Sequence, residues 1–78
     1  MKLNGDRLRR ARQKKLLTLR EFSAVTGVGA DTINRLENGL QQPRISTIRK
    51  LAAALGVDAE YLIEWEAEEE GKAAPLAA

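Results

Sequence analysis

The chain has 78 residues, a formal net charge of +2, and neither cysteine nor histidine. A chain of this length forms one small domain, because a second hydrophobic core would have too little to bury. The composition excludes disulfides and the usual zinc ligands, so we predict no metal and no cofactor. No apolar run approaches the ~20 residues of a membrane span and no signal-like start is present, which predicts a soluble cytoplasmic protein without membrane contact.

The charge is divided unevenly along the chain. Residues 1–50 carry 12 lysines and arginines against 4 acids, a net of +8, whereas residues 51–78 carry one lysine against 7 acids, a net of −6. Such polarity indicates a half that faces nucleic acid, followed by an acidic end. A basic helix face exposed to solvent explains the charge equally well.

The hydrophobic pattern predicts helices throughout and no strand. The first helix begins near Asn4–Gly5, with Asp6 placed favourably against its N-terminal dipole. It extends to about Lys15 and buries Leu8 and Ala11, while its other faces are almost entirely cationic.

The second helix has the clearest start. Thr18 and Glu21 have the spacing of a capping box, and Leu17 and Phe22 occupy the positions of a hydrophobic staple. Gly27 predicts its end, because glycine readily adopts the left-handed conformation of a helix terminator.

The third helix is predicted from Gly29–Ala30 to Asn38–Gly39, and the fourth from roughly 45 to 55. Gly56 ends the fourth helix, and Asp58 is a suitable N-cap for a fifth.

The predicted fifth helix leads into the acidic stretch 66–70. Its apolar residues Tyr61, Leu62 and Trp65 either cap the monomer core or form a dimer patch, and we favour the dimer patch. We assign residues 1–66 to one domain and residues 67–78 to a frayed, low-complexity tail. The acidic run solubilises the chain or, as a second hypothesis, competes with DNA for the basic face.

Two short helices joined by residues 25–29 match a helix-turn-helix, whose second helix enters the major groove of DNA. At about 100° per residue, Ile33 and Leu36 define the buried side of the third helix. The opposite side holds Asp31, Asn34, Arg35 and Asn38, with Ala30 at its margin. Arginine suits guanine and asparagine suits adenine, although any exposed helix has a polar outer face.

Several landmarks recur at fixed separations, namely Gly5-Asp6-Arg7-Leu8-Arg9, the Thr18/Glu21 box, Gly27-Val28, Thr32-Ile33-Asn34-Arg35-Leu36-Glu37-Asn38-Gly39, Pro43, and Leu51-Ala52-x-Ala54-Leu55-Gly56-Val57. With them, residues 5–63 resemble the Cro/phage-repressor helix-turn-helix family, also called the xenobiotic-response-element family. The resemblance implies an all-α, compact five-helix bundle of the lambda-repressor-like type, with the helix-turn-helix at helices two and three. It also implies binding of operator DNA, usually as a homodimer.

The resemblance assigns roles residue by residue. Base reading falls to Ala30, Asp31, Asn34 and Arg35. Contacts with the DNA backbone fall to Thr18, Leu19, Arg20, Thr32, Asn38, Gln41, Gln42 and Arg44. Arg12 and Glu37 match a structural ion pair that joins helices one and three.

The chain departs from the family pattern at four positions. Leu19 replaces a common glutamine, Gly29 replaces a serine or threonine N-cap, and Leu40 replaces a frequent cation. Thr26 replaces a larger aliphatic residue, so the turn is expected to pack less tightly.

Asp31 is an acid at the helix end that would face a polyanion. Under each of the interpretations below, it stabilises the helix by a favourable interaction with the N-terminal end of the helix dipole. It also lies one turn before Arg35, in the favoured orientation for a helical ion pair. We favour a role in orienting Arg35 over acceptance of a hydrogen bond from cytosine, and repulsion that weakens DNA binding is a third interpretation.

These features predict a sequence-specific double-stranded DNA-binding regulator, a dimeric repressor that reads a palindromic operator. The alternative is a protein-interaction module on the same scaffold, an antitoxin-type partner or an adaptor with weak or lost DNA binding. An enzyme is not expected, because histidine, cysteine and any pocket-like cluster of reactive groups are missing from the sequence.

Overall fold

The computed structural model describes residues 1–65. This part of the chain contains four α-helices, one 3₁₀ helix and a two-stranded sheet. In chain order the elements are β1 (Lys2–Leu3), α1 (Gly5–Lys14), α2 (Leu19–Thr26), α3 (Ala30–Glu37), α4 (Ile45–Leu55), the 3₁₀ helix (Ala59–Leu62) and β2 (Ile63–Glu64). The domain is therefore mostly helical, with four α-helices where five were predicted.

Every element contributes to one hydrophobic core. Helix α2 packs against α3 and α4, α1 packs against α3, and the 3₁₀ helix packs against α1 and α4. The apolar stripes predicted on the helices supply most of the buried side chains, which are Leu3, Leu8, Ala11, Phe22, Ile33, Leu36, Ile48, Leu51, Ala52, Leu55 and Leu62. The core thus holds α2 and α3 against each other, with α4 packed on α2 and α1 packed on α3.

The predicted capping box starts α2. The Glu21 N–H donates to Thr18 Oγ1 over 3.0 Å, and the Thr18 N–H donates to Glu21 Oε1 over 2.9 Å. The hydrogen bond from the Thr18 N–H to the Glu21 carboxylate is the main cause that lowers the pKa of this carboxyl, and a side-chain interaction with the Thr18 hydroxyl is the second. Both exposed polar groups of the box are therefore used to define where the helix begins.

Helix α1 ends in a Schellman motif built on a leucine. The Leu16 N–H donates to the Gln13 carbonyl oxygen over 2.9 Å, and the Leu17 N–H donates to that of Arg12 over 3.2 Å. Leu16 has a φ of 58°, in the left-handed region that glycine or asparagine normally occupies at this position. Its side chain is 88% exposed, so packing does not offset the conformational strain.

Replacement of Leu16 with glycine is expected to stabilise the domain. Relief of about 1–2 kcal/mol of left-handed strain outweighs the larger backbone entropy that glycine gives the unfolded chain. We expect a net gain of about 0.5 kcal/mol, or roughly 3 °C in Tm for a domain of this size. The control is Leu16→Ala, which removes the exposed side chain and keeps the strain. Equal Tm values for the two variants would argue against strain at this turn.

The predicted fifth helix is wrong. The chain forms one 3₁₀ turn, after which Ile63 has extended dihedrals of −105° and 138°. Residues Ile63–Glu64 then pair antiparallel with Lys2–Leu3, and the Asn4 N–H donates to the Leu62 carbonyl oxygen over 2.7 Å. The prediction failed, together with that of no strand, because the partner strand lies at the opposite end of the sequence and no local pattern marks it.

The extended backbone also corrects the predicted dimer patch. Tyr61, Leu62 and Trp65 do not share one helix face, because the chain is extended after Leu62. Leu62 is completely buried in the core. Tyr61 and Trp65 remain 44% and 51% exposed. Arg7 lies over the Tyr61 ring at 5.6 Å from its centroid, and its Nη1 donates to the Tyr61 carbonyl oxygen over 3.1 Å. The predicted acidic run and tail lie outside the described residues.

Candidate nucleic-acid interface

The turn between α2 and α3 is fixed by hydrogen bonds rather than by a large aliphatic side chain. Gly27 has a φ of 77°, and its N–H donates to the Ser23 carbonyl oxygen over 2.8 Å. The Thr26 hydroxyl donates to the Phe22 carbonyl oxygen over 2.8 Å and accepts from the Val28 N–H over 3.1 Å. Thr26 therefore cross-links the turn, where the sequence indicated only looser packing.

Helix α3 separates its residues into a buried and an exposed face, as the sequence predicts. Ile33 and Leu36 lie in the core. Two residues near its start, Ala30 and Thr32, are half-buried. The exposed face is polar and consists of Asp31, Asn34, Arg35 and Asn38, the last being the C-cap residue. This face lies on a helix that is anchored along its whole opposite side.

Asp31 and Arg35 are both exposed. No ion pair joins them in the described part of the chain, so the structure does not display the pairing that the sequence suggested. Asp31 keeps its favourable place in the first turn of α3. The Arg35 side chain has no hydrogen-bonding partner among residues 1–65, and its guanidinium is free to bind another molecule.

A buried carboxylate joins α3 to α1. Glu37 is 4% exposed, and its two oxygens accept from Arg12, from Nε over 2.7 Å and from Nη2 over 3.1 Å. Arg12 Nη1 also donates to the Leu17 carbonyl oxygen over 2.8 Å. The hydrogen bond with Glu37 raises the Arg12 pKa although burial opposes it, so the guanidinium stays charged. The contact is the one that the family resemblance implied.

Sequence reasoning missed a second arginine at this junction. Arg9 Nε donates to Glu37 Oε1 over 3.4 Å, and Arg9 Nη2 donates to Asn38 Oδ1 over 2.8 Å. Asn38 Nδ2 in turn donates to the Asn34 carbonyl oxygen over 2.8 Å and to Asn34 Oδ1 over 3.1 Å. The spacing contained a signal, because Arg9 lies three residues before Arg12 and therefore on the same face of α1.

The start of α2 presents backbone amides and one long polar side chain, that of Arg20. Thr18 uses its oxygen for the capping box, and Arg20 is exposed. Leu19 is half-buried and packs against the core. Leu19 can therefore serve a phosphate only through its N–H, which lies in the first turn and has no intrahelical acceptor.

The loop after α3 carries the remaining predicted backbone contacts. Gln41 and Arg44 are exposed, and their side chains have no hydrogen-bonding partner within residues 1–65. Gln42 is used in part by the fold, because its Oε1 accepts from the Leu3 N–H over 3.0 Å. That bond ties the loop to β1 and leaves the Gln42 amide nitrogen to donate elsewhere.

The arrangement is a polar surface on a helix-turn-helix, with cations on the helix and on the loop that follows it. Residues 1–65 contain no group of three or more acidic side chains placed to hold a metal ion. In the same range no helix has the length and apolar character needed to cross a membrane.

The sequence model of the helix-turn-helix family HTH_3 matches residues 8–62, which is more than half of the chain. The chain belongs to this family. The match includes α2, the turn, α3 and the loop that follows, so the surface described above lies within the part that defines the family.

One relative is the HTH-type transcriptional repressor RghR of Bacillus subtilis (strain 168), which is 40% identical over 60 residues. The alignment covers 76% of this chain and 44% of RghR, so the chain matches less than half of that protein.

Two solved structures resemble the domain. The SinR/SinI protein complex is similar with a TM-score of 0.73 and 25% identity, over 95% of this chain and 78% of the other. The P22 c2 repressor in complex with a synthetic operator has a TM-score of 0.75, over 85% of this chain and all of the other. At 24% identity, this structural similarity shows a shared fold and nothing more.

Proposed function

We propose that the protein is a sequence-specific double-stranded DNA-binding transcriptional regulator, which acts as a homodimeric repressor. The observation that carries the proposal is the exposed polar face of α3, held on a helix-turn-helix by the buried Glu37 carboxylate. Its relation to a named transcriptional repressor supports the proposal. In this function the protein would act in the cytoplasm, and binding DNA requires neither a cofactor nor catalysis.

In the proposed complex α3 lies in the major groove. Ala30, Asp31, Asn34 and Arg35 approach the base edges, where arginine matches guanine and asparagine matches adenine. Asp31 acts either by directing Arg35 or by accepting from cytosine, and the unpaired state of both side chains permits either role.

Phosphate contacts would set the position of the domain on DNA. The first-turn amides of α2 supply donors at Leu19 and Arg20. Thr18 has used its N–H in the capping box, so it would donate to a phosphate through its hydroxyl hydrogen. The remaining donors are Thr32 on α3 and Gln41, Gln42 and Arg44 on the following loop. The Asn38 side chain, predicted to join them, is already used by Arg9 and Asn34. Each phosphate that a cation neutralises releases counterions, so the binding constant is expected to fall steeply with salt.

Dimerisation would place two α3 helices about one helical turn of DNA apart, roughly 34 Å, and so select a palindrome. Tyr61 and Trp65 are the exposed aromatic residues of the described chain on which we base the dimer patch. Aromatic residues with an exposed apolar surface are enriched in such interfaces.

A protein-interaction module is the second candidate. Leu40 is 75% exposed beside the proposed interface, where a cation would serve DNA better, and the similar SinR/SinI structure is a protein–protein complex. A stable hetero-complex together with weak, salt-insensitive DNA binding would favour this second function.

Selection of bound duplexes from a random pool, at two salt concentrations, tests the proposed function. We expect an enriched palindrome and a binding constant that falls about a thousandfold between 50 and 200 mM salt, as for about six phosphate contacts. A pool without enrichment, with the same weak binding at both salts, would contradict DNA reading.

Arg35→Ala is expected to weaken binding to the selected operator by about 2 kcal/mol, roughly thirtyfold, because an arginine that pairs with a base contributes about 1–3 kcal/mol. The same variant should accept other bases at one position of each half-site. Arg49→Ala is the matched control. Arg49 is an exposed arginine of α4 that is not among the proposed DNA contacts, so its replacement removes the same charge without removing a base contact. Equal operator affinity of Arg35→Ala and wild type would show that α3 does not read bases through Arg35.

A further inference from the structure

The carboxamide of Asn38 lies between Arg9 on α1 and Asn34 on α3. Arg9 Nη2 donates to Asn38 Oδ1 over 2.8 Å. Asn38 Nδ2 donates to the Asn34 carbonyl oxygen over 2.8 Å and to Asn34 Oδ1 over 3.1 Å. All three residues therefore belong to one chain of hydrogen bonds that ends on the exposed face of α3.

The chemistry of the two ends allows only one direction for this chain. A guanidinium can only donate, and a backbone carbonyl can only accept. If the Asn38 amide were turned over, its nitrogen would face the Arg9 nitrogen and its oxygen would face the carbonyl oxygen of Asn34. Both contacts would be repulsive, so Asn38 has to present its N–H groups to Asn34. The Asn34 atom that meets them then has to be Oδ1.

The Asn34 side chain has one hydrogen-bonding group that remains available, its Nδ2 amino group. Its Oδ1 accepts from Asn38 and therefore points toward that residue, whereas its Nδ2 has no acceptor within residues 1–65 and belongs to an exposed residue. We infer that Arg9 and Asn38 are positioning residues that make Asn34 a hydrogen-bond donor toward DNA and thereby set its base preference. The inference rests on the proposed function.

A donor at this position selects bases by their acceptors. Guanine offers O6 and N7, adenine offers N7 and thymine offers O4, whereas cytosine presents only its N4 amino donor in the major groove. Asn34 therefore disfavours cytosine on the strand it contacts. The pairing of asparagine with adenine uses the amide oxygen and nitrogen together, so an oxygen that is turned toward Asn38 also makes guanine a partner comparable to adenine.

Asn38→Asp reverses the direction of the chain. The new carboxylate still accepts from Arg9 but cannot donate to Asn34, so Asn34 turns its Nδ2 inward and its Oδ1 outward. In a selection from random duplexes, the ratio of guanine to cytosine at one position of each half-site is expected to fall about three- to tenfold, the scale of one hydrogen bond. Overall affinity should also drop, because the variant adds a negative charge.

Two further comparisons separate orientation from charge. Asn38→Ala removes the donor without adding charge, and it is expected to make the same position less selective without reversing it. Arg9→Gln should also relax that position, since a glutamine can present either a donor or an acceptor to Asn38. Arg10→Gln removes the same charge from an exposed neighbour whose side chain has no hydrogen-bonding partner in the described chain, and it should leave the profile of base preferences unchanged.

A measurement without DNA tests the orientation directly. In the NMR spectrum of the free wild-type protein, the Asn34 side-chain amide should exchange with water faster than that of Asn38. In Asn38→Asp the Asn34 amide should become protected, because it gains an acceptor. Protection of the Asn34 amide in the wild type would overturn the inference.

The DNA experiment distinguishes the two levels of the proposal. If the wild type enriches a motif but Asn38→Asp leaves every guanine-to-cytosine ratio unchanged, the inference fails and the proposed function stands. If the wild type enriches no motif, the proposed function fails and takes the inference with it.

Discussion

Replacement of Arg12 with leucine is expected to lower the free energy of unfolding by about 3 kcal/mol, because it leaves a buried carboxylate without its main partner. The Glu37 side chain is only 2% exposed and that of Arg12 13%, so solvent screens this pair little. Arg9 remains near Glu37, but at 3.4 Å and with a side chain that is 37% exposed. A domain of this size has about 5 kcal/mol in total, so much of its stability depends on this contact.

The matched control is the double variant Arg12→Leu/Glu37→Leu. Replacement of a buried ion pair by apolar side chains of similar size is often neutral or stabilising, because neither charge has to be desolvated. The double variant still lacks a donor to the Leu17 carbonyl oxygen, which costs about 1 kcal/mol. It is therefore expected to be clearly more stable than Arg12→Leu alone.

Urea unfolding followed by circular dichroism measures both variants against the wild type. The expected order of urea midpoints, from highest to lowest, is wild type, double variant, then Arg12→Leu. A single variant as stable as the double one would mean that the Glu37 carboxylate finds solvent or another cation, and that its burial costs little.

Short-range features of the fold could be predicted from the sequence, because each has a local physical cause. The Thr18/Glu21 box needs only two residues at a spacing of three, and Gly27 needs only a backbone free to adopt a positive φ. The buried stripe of α3 follows from helical periodicity alone. These features also position the candidate site, which is why its exposed residues were predictable.

Long-range features could not be predicted in the same way. The pairing of Lys2–Leu3 with Ile63–Glu64 joins the two ends of the described chain, and nothing near either segment encodes the partner. The contact of Gln42 with the Leu3 N–H is equally remote in sequence. The prediction of a helix around Leu62 was therefore wrong, because the backbone groups there hydrogen-bond to a distant strand and not within a helix.

The candidate site shows the same division at the level of single side chains. Helical spacing correctly placed Asn34 and Asn38 on the exposed face of α3, but it could not show that Arg9 of another helix orients them. Conversely, the spacing of Asp31 and Arg35 permitted an ion pair that the described chain does not form. Spacing gives proximity, whereas the geometry of exposed, flexible side chains depends on competing partners and on solvent.

Replacement of Gly5 with alanine is expected to destabilise the domain by about 3 kcal/mol, although alanine is the better helix former. Gly5 is the first residue of α1, where the helix passes directly over the carbonyl groups at the end of α3. A Cβ added there would lie 2.7 Å from the Leu36 carbonyl oxygen and closer still to that of Glu37. Both are backbone atoms that cannot turn away, so α1 and α3 would have to separate.

Gly29→Ala is the matched control, because Gly29 is also a glycine at the start of a helix, as the N-cap of α3. A Cβ at Gly29 would meet only Thr32 Oγ1, at 3.8 Å, and the Gly29 φ of −58° suits any residue. We expect that variant to change the free energy of unfolding by less than about 1 kcal/mol, the scale of an N-cap preference. Helix propensity alone predicts the opposite sign at Gly5, a gain of about 1 kcal/mol. Thermal unfolding decides between them: a Gly5→Ala Tm at or above that of the wild type would show that α1 and α3 do not approach as closely as described, and the Arg9 and Arg12 contacts with α3 would lose their structural basis.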